Sequence, residues 1–259
     1  MIRFLLFTLF GILINKSLFA ESEKIYLHYQ DRPPYFIINK TSKKLEGGEL
    51  FILIKKVMKE AEIPYEFQIS PTSRSILAIK ERLEKVCIPS AYITKDRQEF
   101  SHFSIPYYKD KLTVLAIRKE DKRFDKYSTF EDITRDQSLI PITKIGYSFG
   151  EYMNKVLAKN KNYISTELEK VDKNKIKVTS LEPEGILESV AHKDADYTYF
   201  ALNEIQFHIK NNKKIRQVVK IKTLKDIVDA ESRYFMCSKE ISENTMKKIN
   251  AAIKKVNEK

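Results

Sequence analysis

Two kinds of apolar spacing alternate along this chain, and that alternation restricts its fold more than any other feature. Residues 25–29, IYLHY, alternate apolar and polar side chains with period two. After the turn DRPPY, the segment ELFILIKKVMKEA sets Leu50, Leu53, Ile54, Val57, Met58 and Ala61 at helical spacing, with Gly47 and Gly48 opening it. Ile63 and Pro64 end that helix and lead into YEFQI, where Tyr65, Phe67 and Ile69 share one side. SPTSR then offers hydroxyls to cap a second helix through Ile76, Leu77 and Leu83, which runs into the apolar strand VCI. Strand, helix, strand, helix, strand predicts a parallel sheet with crossover helices.

A second unit of the same kind follows. LTVLAI (112–117), ITKIGY (142–147), IKVTS (176–180), ADYTYF (195–200) and QVVKI (217–221) read as strands, separated by helices at STFE, GEYMNKVLA, EGILESVAHK and 203–210. Ser128 and Glu131 in STFE have capping-box spacing. The tail belongs to the first unit: RYFMC (233–237) is a strand, and Ser242 caps a helix that buries Met246, Ile249, Ile253 and Val256. If Cys237 bonds to Cys87, the chain leaves the first unit near 108–111 and returns near 230–233, and two crossings make a hinge. The expected division is 21–109 and 232–259 as one lobe, with 110–231 as the other.

The N-terminus bears on where such a protein works. Residues 1–20, MIRFLLFTLFGILINKSLFA, place Arg3 before an apolar run from Phe4 to Ile14, then a polar patch and Ala20. That is the layout of a secretory signal peptide cleaved after Ala20. The run is too short for the roughly 20 residues of a spanning helix; an uncleaved anchor is the competing reading. The whole chain carries +12, and losing Arg3 and Lys16 leaves +10 for the exported part. Its lysines are dispersed, as in KDKRFDK and KNNKK, without the clustered stripe or reading motif of a nucleic-acid binder. Cys87 and Cys237, each at the end of an apolar strand, either form one disulfide in the oxidising compartment or stay as two buried thiols.

Catalytic constellations are poorly represented. The four histidines are scattered, and no HExxH, phosphate loop or GxGxxG occurs; GYSFG (146–150), a glycine pair around Ser148 at a strand-to-helix turn, is weak evidence alone, so neither an enzyme nor a metal or other cofactor is expected. A two-lobed α/β protein binds small ligands where the strand ends of its sheets meet. The loops there are DRPPY, SAYITKDR, GYSFGEY and the segment after ADYTYF. A ligand carboxylate is best held by a bidentate arginine. Arg97, behind Thr94 at a helix start, is the candidate, against a structural ion pair with Asp96 or Glu99. Tyr35, held by Pro33 and Pro34, is a candidate cover for the ligand, or else core filling.

The order xRPPYxxx, GGEL-helix, PxSR, VC, TKDRQEFSHFSIPYY, GYSFGEY and ADYTYF resembles the bacterial extracellular solute-binding proteins of family 3, the periplasmic receptors that deliver polar amino acids to ABC importers. The likeness spans nearly all of 24–259. Thr94, Arg97, Phe103, Ser104 and Tyr107 match its most specific stretch. It implies the type II periplasmic-binding-protein fold, two lobes each with a mostly parallel sheet flanked by helices, and two hinge crossings. It also implies a monomer in the periplasm, a small amino-acid-like ligand, the membrane permease of an ABC importer as partner, and no nucleic acid. Arg97 would hold the ligand carboxylate, with Ser90 and Tyr92 beside it and Ser148 on the second lobe. The family's ammonium-binding aspartate position falls on Ala201 here, with Asn203 and Glu204 just after. Glu204 is therefore a candidate ammonium partner, or else a carboxylate favoured at a helix start. Arg74 is a further candidate facing the cleft. Rival readings are a sensor that reports a ligand to a membrane partner, a dehydratase-like enzyme using Glu151 or Glu204, and a binder of anionic envelope polymers.

Overall fold

Residues 24–165 and 171–258 are described by the structure, a computed structural model. The signal-peptide segment 1–20 and its cleavage point lie outside the described residues. The chain begins with β1 (Ile25–Tyr29), β2 (Ile37–Ile38), β3 (Leu45–Gly47), α1 (Glu49–Ala61), β4 (Tyr65–Ile69), α2 (Thr72–Lys80), β5 (Val86–Ala91), α3 (Lys95–Phe100), β6 (Ser101–Phe103) and β7 (Tyr108–Lys109). It continues through β8 (Thr113–Arg118), α4 (Phe130–Arg135), β9 (Ile142–Lys144), α5 (Glu151–Lys161), β10 (Lys177–Thr179), α6 (Pro183–Ala191), β11 (Tyr197–Ala201), α7 (Leu202–Asn211), α8 (Lys213–Val218) and β12 (Val219–Lys222). β13 (Ser232–Ser238) and α9 (Glu243–Asn257) close it.

The first sheet runs β4-β1-β5-β13-β6, with β7 also paired to β13. Its core joins Ile25 and Leu27 of β1 to Leu50, Ile54 and Val57 of α1 and to Ile249 and Ile253 of α9, all fully buried. Burial of each such side chain stabilises the fold by about 1.5–3 kcal/mol. The second core is separate and gathers β8, β11 and the helices between them, around Leu115, Phe130, Leu157, Leu187, Tyr197 and Tyr199. There β11-β8-β12 form one sheet and β10-β9 another, joined by a parallel bridge between Pro141 and Tyr197. Gly48 opens α1 at φ +120, and a Cβ there would sit 2.1 Å from the Tyr35 carbonyl oxygen. Only glycine permits that approach, which presses the 32–36 turn against the start of α1.

The α/β class holds, but the sheets are mixed where mostly parallel ones were expected. β1 is parallel to β4 and β5, whereas β13 is antiparallel to β5, β6 and β7. The cause is the return path: β13 re-enters beside β7, with Ser232 opposite Lys109, so it must run back along the strand by which the chain left. β8 likewise meets β11 and β12 in antiparallel register. Local chemistry differs in three places. The cap of α4 is Thr129, accepting from the Asp132 N–H, not Ser128. α2 starts after Pro71 with no side-chain cap, because Thr72 donates to Gln30 and Ser75 to the Pro71 carbonyl. Gln217 and Val218 of the expected strand finish α8, and β12 begins at Val219.

Cys87 and Cys237 are bonded, and they face each other in register across β5 and β13. The bond spans a sequence separation of 150 residues, tying the returning tail to the first sheet.

Candidate functional site

A narrow cavity lies at the carboxyl ends of the strands. His28, Tyr29, Gln30 and Arg32 reach it at the end of β1, Ser70 and Thr72 after β4, and Ser90 and Tyr92 around the end of β5. Gly146, Tyr147 and Ser148, after β9, close it from the second core. Strand ends in α/β sheets are where irregular loops leave backbone and side-chain polar groups free to face a ligand. Gly146 makes the approach possible. It sits at φ +77, and a Cβ there would meet Thr72 Cγ2 at 3.2 Å.

Arg97 is placed by its own helix. Thr94 caps α3 by accepting from the Arg97 N–H, which fixes the first turn and turns the side chain inward. The residue is 4% exposed. Its Nη1 donates to the Tyr92 carbonyl at 3.1 Å and its Nη2 to the Gly146 carbonyl at 2.9 Å, so one guanidinium bridges the two sides of the cavity. Its Nε has no partner. Among the described residues no carboxylate pairs with it, and Asp96 and Glu99 are exposed. Burial, opposed by Tyr163 and Asp96, holds its pKa down to about 10, so it remains a cation at neutral pH. A buried cation without an acid is an uncommon arrangement, because buried charges are ordinarily paired.

Two further arginines of the cavity wall are each matched to an acid behind it. Arg32 Nε and Nη2 donate to the two Glu204 oxygens at 2.7 and 2.9 Å, a two-point pair between the first core and α7. Arg233 Nε donates to Asp110 Oδ1 at 2.9 Å, its Nη2 lies 2.7 Å from Oδ2, and its Nη1 donates to the Ser90 carbonyl at 2.7 Å. Asp110 also accepts from the Tyr35 and Tyr92 hydroxyls. The Tyr35 hydroxyl lies 3.1 Å from Asn203 Oδ1 as well. The guanidiniums stack on rings: Arg32 on Tyr147 at 4.4 Å, Arg233 on Tyr35 at 4.2 Å and on Tyr92 at 4.8 Å. Burial chiefly raises the Tyr35 and Tyr92 hydroxyl pKa values, so both stay protonated and donate.

Of the residues singled out from the sequence, the cavity wall brings together Ser90, Tyr92, Arg97 and Ser148. Ser148 Oγ accepts from Asn154 Nδ2 at 2.7 Å. Tyr35 lies outside that wall, fully buried in the polar cluster behind it. Glu204 is also outside it, its carboxylate held by Arg32 and 3.9 Å from Arg233. Arg74 is exposed on α2 and does not line the cavity. Glu151 is exposed and pairs with Lys155. Sequence reasoning missed Arg32, Asp110 and Arg233. Arg32 stands inside the quoted DRPPY turn, and Asp110 and Arg233 flank the crossings, but their pairing joins residues 123 to 172 positions apart and leaves no local pattern. Among the described residues no group of histidines, cysteines and acids fits a metal ion.

The sequence profile of the bacterial extracellular solute-binding proteins, family 3, matches residues 25–259. No curated protein sequence matches the chain. Among solved structures, an ancestral arginine-binding protein bound to arginine shares 17% identity, with a TM-score of 0.68 over 91% of this chain and 92% of that one. A histidine kinase sensor domain with similarity to periplasmic binding proteins aligns at 15% identity and TM-score 0.68, covering 92% of this chain and 91% of that one. A structure from work on glutathione import via GshT and the cystine ABC importer TcyBC of Streptococcus mutans aligns at 16% identity and TM-score 0.68, covering 92% and 90%. At these identities the likeness establishes the periplasmic-binding-protein fold.

Proposed function

The chain belongs to the bacterial extracellular solute-binding proteins, family 3, and on that premise we propose that it is an exported receptor for a small carboxylate. The ligand is an amino acid or a related acid, captured between two lobes and presented to the membrane permease of an ABC importer. The lobes are residues 21–109 with 232–259, and 110–231. They turn about the antiparallel pairing of β7 with β13 and the Asp110 N–H bond to Glu231 O at 2.9 Å. One observation carries the reading: Arg97 is buried, charged and without an acid, and it reaches from one side of the cavity to a carbonyl of the other. An anion that replaces the missing acid completes the pairing and favours the closed arrangement of the lobes.

The test is calorimetry on monomeric, refolded protein with amino acids and related carboxylates, followed by small-angle scattering with any acid that binds. Binding with compaction is expected; the absence of binding across the panel overturns the proposal. A second reading, a sensor module, is favoured by the similarity to a histidine kinase sensor domain. Loss of ligand uptake in cells without the protein supports import, whereas unchanged uptake with a lost transcriptional response supports sensing.

A further inference from the structure

The charge balance of the cavity narrows its ligand. Its wall presents Arg32, Arg97 and Arg233 and, among the described residues, no aspartate or glutamate. Arg32 is neutralised from behind by Glu204 and Arg233 by Asp110, so the surplus is the single charge of Arg97. One anionic group balances the site. A zwitterion brings a second cation with it, and that cation needs an acceptor.

Three carbonyls at the wall already hold the protein's own guanidiniums. The Tyr92 and Gly146 carbonyls hold Arg97, and the Ser90 carbonyl holds Arg233. Two ring faces of the wall are in use as well, Tyr147 by Arg32 and Tyr92 by Arg233. Glu204, the carboxylate nearest in kind to an ammonium partner, has Arg32 on both oxygens and Arg233 at 3.9 Å. What remains for a ligand is the charged Arg97 Nε, unpartnered, and neutral groups: the hydroxyl of Ser70, also unpartnered, the hydroxyls of Ser90 and Ser148, and the Gln30 amide. None of these brings the negative charge that pairs with a buried ammonium.

We propose that the ligand is a small carboxylic acid without a free ammonium group, such as a 2-oxo or 2-hydroxy acid, with Arg32 filling the place an ammonium would take against Glu204. This rests on the carboxylate-receptor reading above and narrows it. The mechanism is discrimination by charge: Arg97 attracts the carboxylate, while Glu204, locked to Arg32, is not free to pair with an amine beside it.

The experiment uses matched acids that differ only at the α position. Glutamate with 2-oxoglutarate and 2-hydroxyglutarate, leucine with 4-methyl-2-oxopentanoate and its 2-hydroxy acid, and alanine with pyruvate and lactate are titrated calorimetrically into refolded full-length exported protein with its disulfide intact. In any set that binds, the oxo or hydroxy acid is expected to bind at least ten-fold more tightly than the amino acid. An amino acid that binds as tightly as its counterparts, or more so, overturns the inference and leaves the receptor reading standing. If no member of any set binds, the carboxylate-receptor reading itself fails, and the narrower inference with it.

Discussion

Removing Glu204 should loosen the two halves of the protein more than removing Arg32, although the two residues form one pair. Their hydrogen bonds are 2.7 and 2.9 Å, and the side chains are 13% and 1% exposed. Opposite charges about 4 Å apart at an effective dielectric near 20 attract by about 4 kcal/mol. Desolvation offsets part of this, so a coupling of about 3 kcal/mol is the expectation. Arg32→Met leaves Glu204 with Arg233 still 3.9 Å away, which limits the loss to about 2 kcal/mol. Glu204→Gln leaves Arg32 without any acid, at a cost of about 3–4 kcal/mol. A double-mutant cycle measured by urea unfolding, with scattering to follow opening of the lobes, gives both values. A coupling below about 0.5 kcal/mol, or a larger loss from Arg32→Met, refutes the reasoning.

Four residues elsewhere give three further expectations. Replacing Cys87 and Cys237 together by alanine removes a bond between residues 150 positions apart and should lower stability by about 2–4 kcal/mol in urea titrations; a change below about 1 kcal/mol contradicts it. Glu231 is half-buried, and burial first, then Asp110, Glu151 and Asp229, raise its pKa above 4.5. A raised acid favours the protonated folded form, so this residue weakens the fold at pH values above its folded pKa and ceases to do so as pH falls through it. Glu231→Gln should therefore raise the melting temperature at pH 7 and leave it nearly unchanged at pH 4; an equal effect at both is the contrary result. Gly146→Ala forces a Cβ at φ +77 against Thr72 and should cost about 1–2 kcal/mol, read by thermal unfolding together with weaker ligand binding. An unchanged melting temperature and affinity would show that this close approach does not matter.

Much of the architecture could be read from periodicity. Leu50, Ile54, Val57, Ile249 and Ile253 are buried where their helical spacing put them, because amphipathic helices declare their buried face locally. The strand directions could not be read that way, since the antiparallel course of β13 follows from where it re-enters the sheet rather than from anything within RYFMC. The site divides likewise. Thr94 and Arg97 lie three residues apart, and a cap with its helix start is a local pattern. Tyr35 was legible as a held aromatic, yet what holds it is Asp110, 75 positions away, and that long-range bond sets it behind the cavity instead of at its surface. Glu204 was legible as a helix-start acid but not as the partner of Arg32, 172 positions earlier.

The account depends on a buried cation that waits for an acid from outside. Calorimetry of Arg97→Met against the unaltered protein, with the tightest-binding acid found, tests this most directly. Loss of affinity by about 100-fold or more, near 3 kcal/mol, with a melting temperature within a few degrees of the original, is the predicted result. Equal affinity in the two proteins would contradict it, because the anion would then be held by some other group.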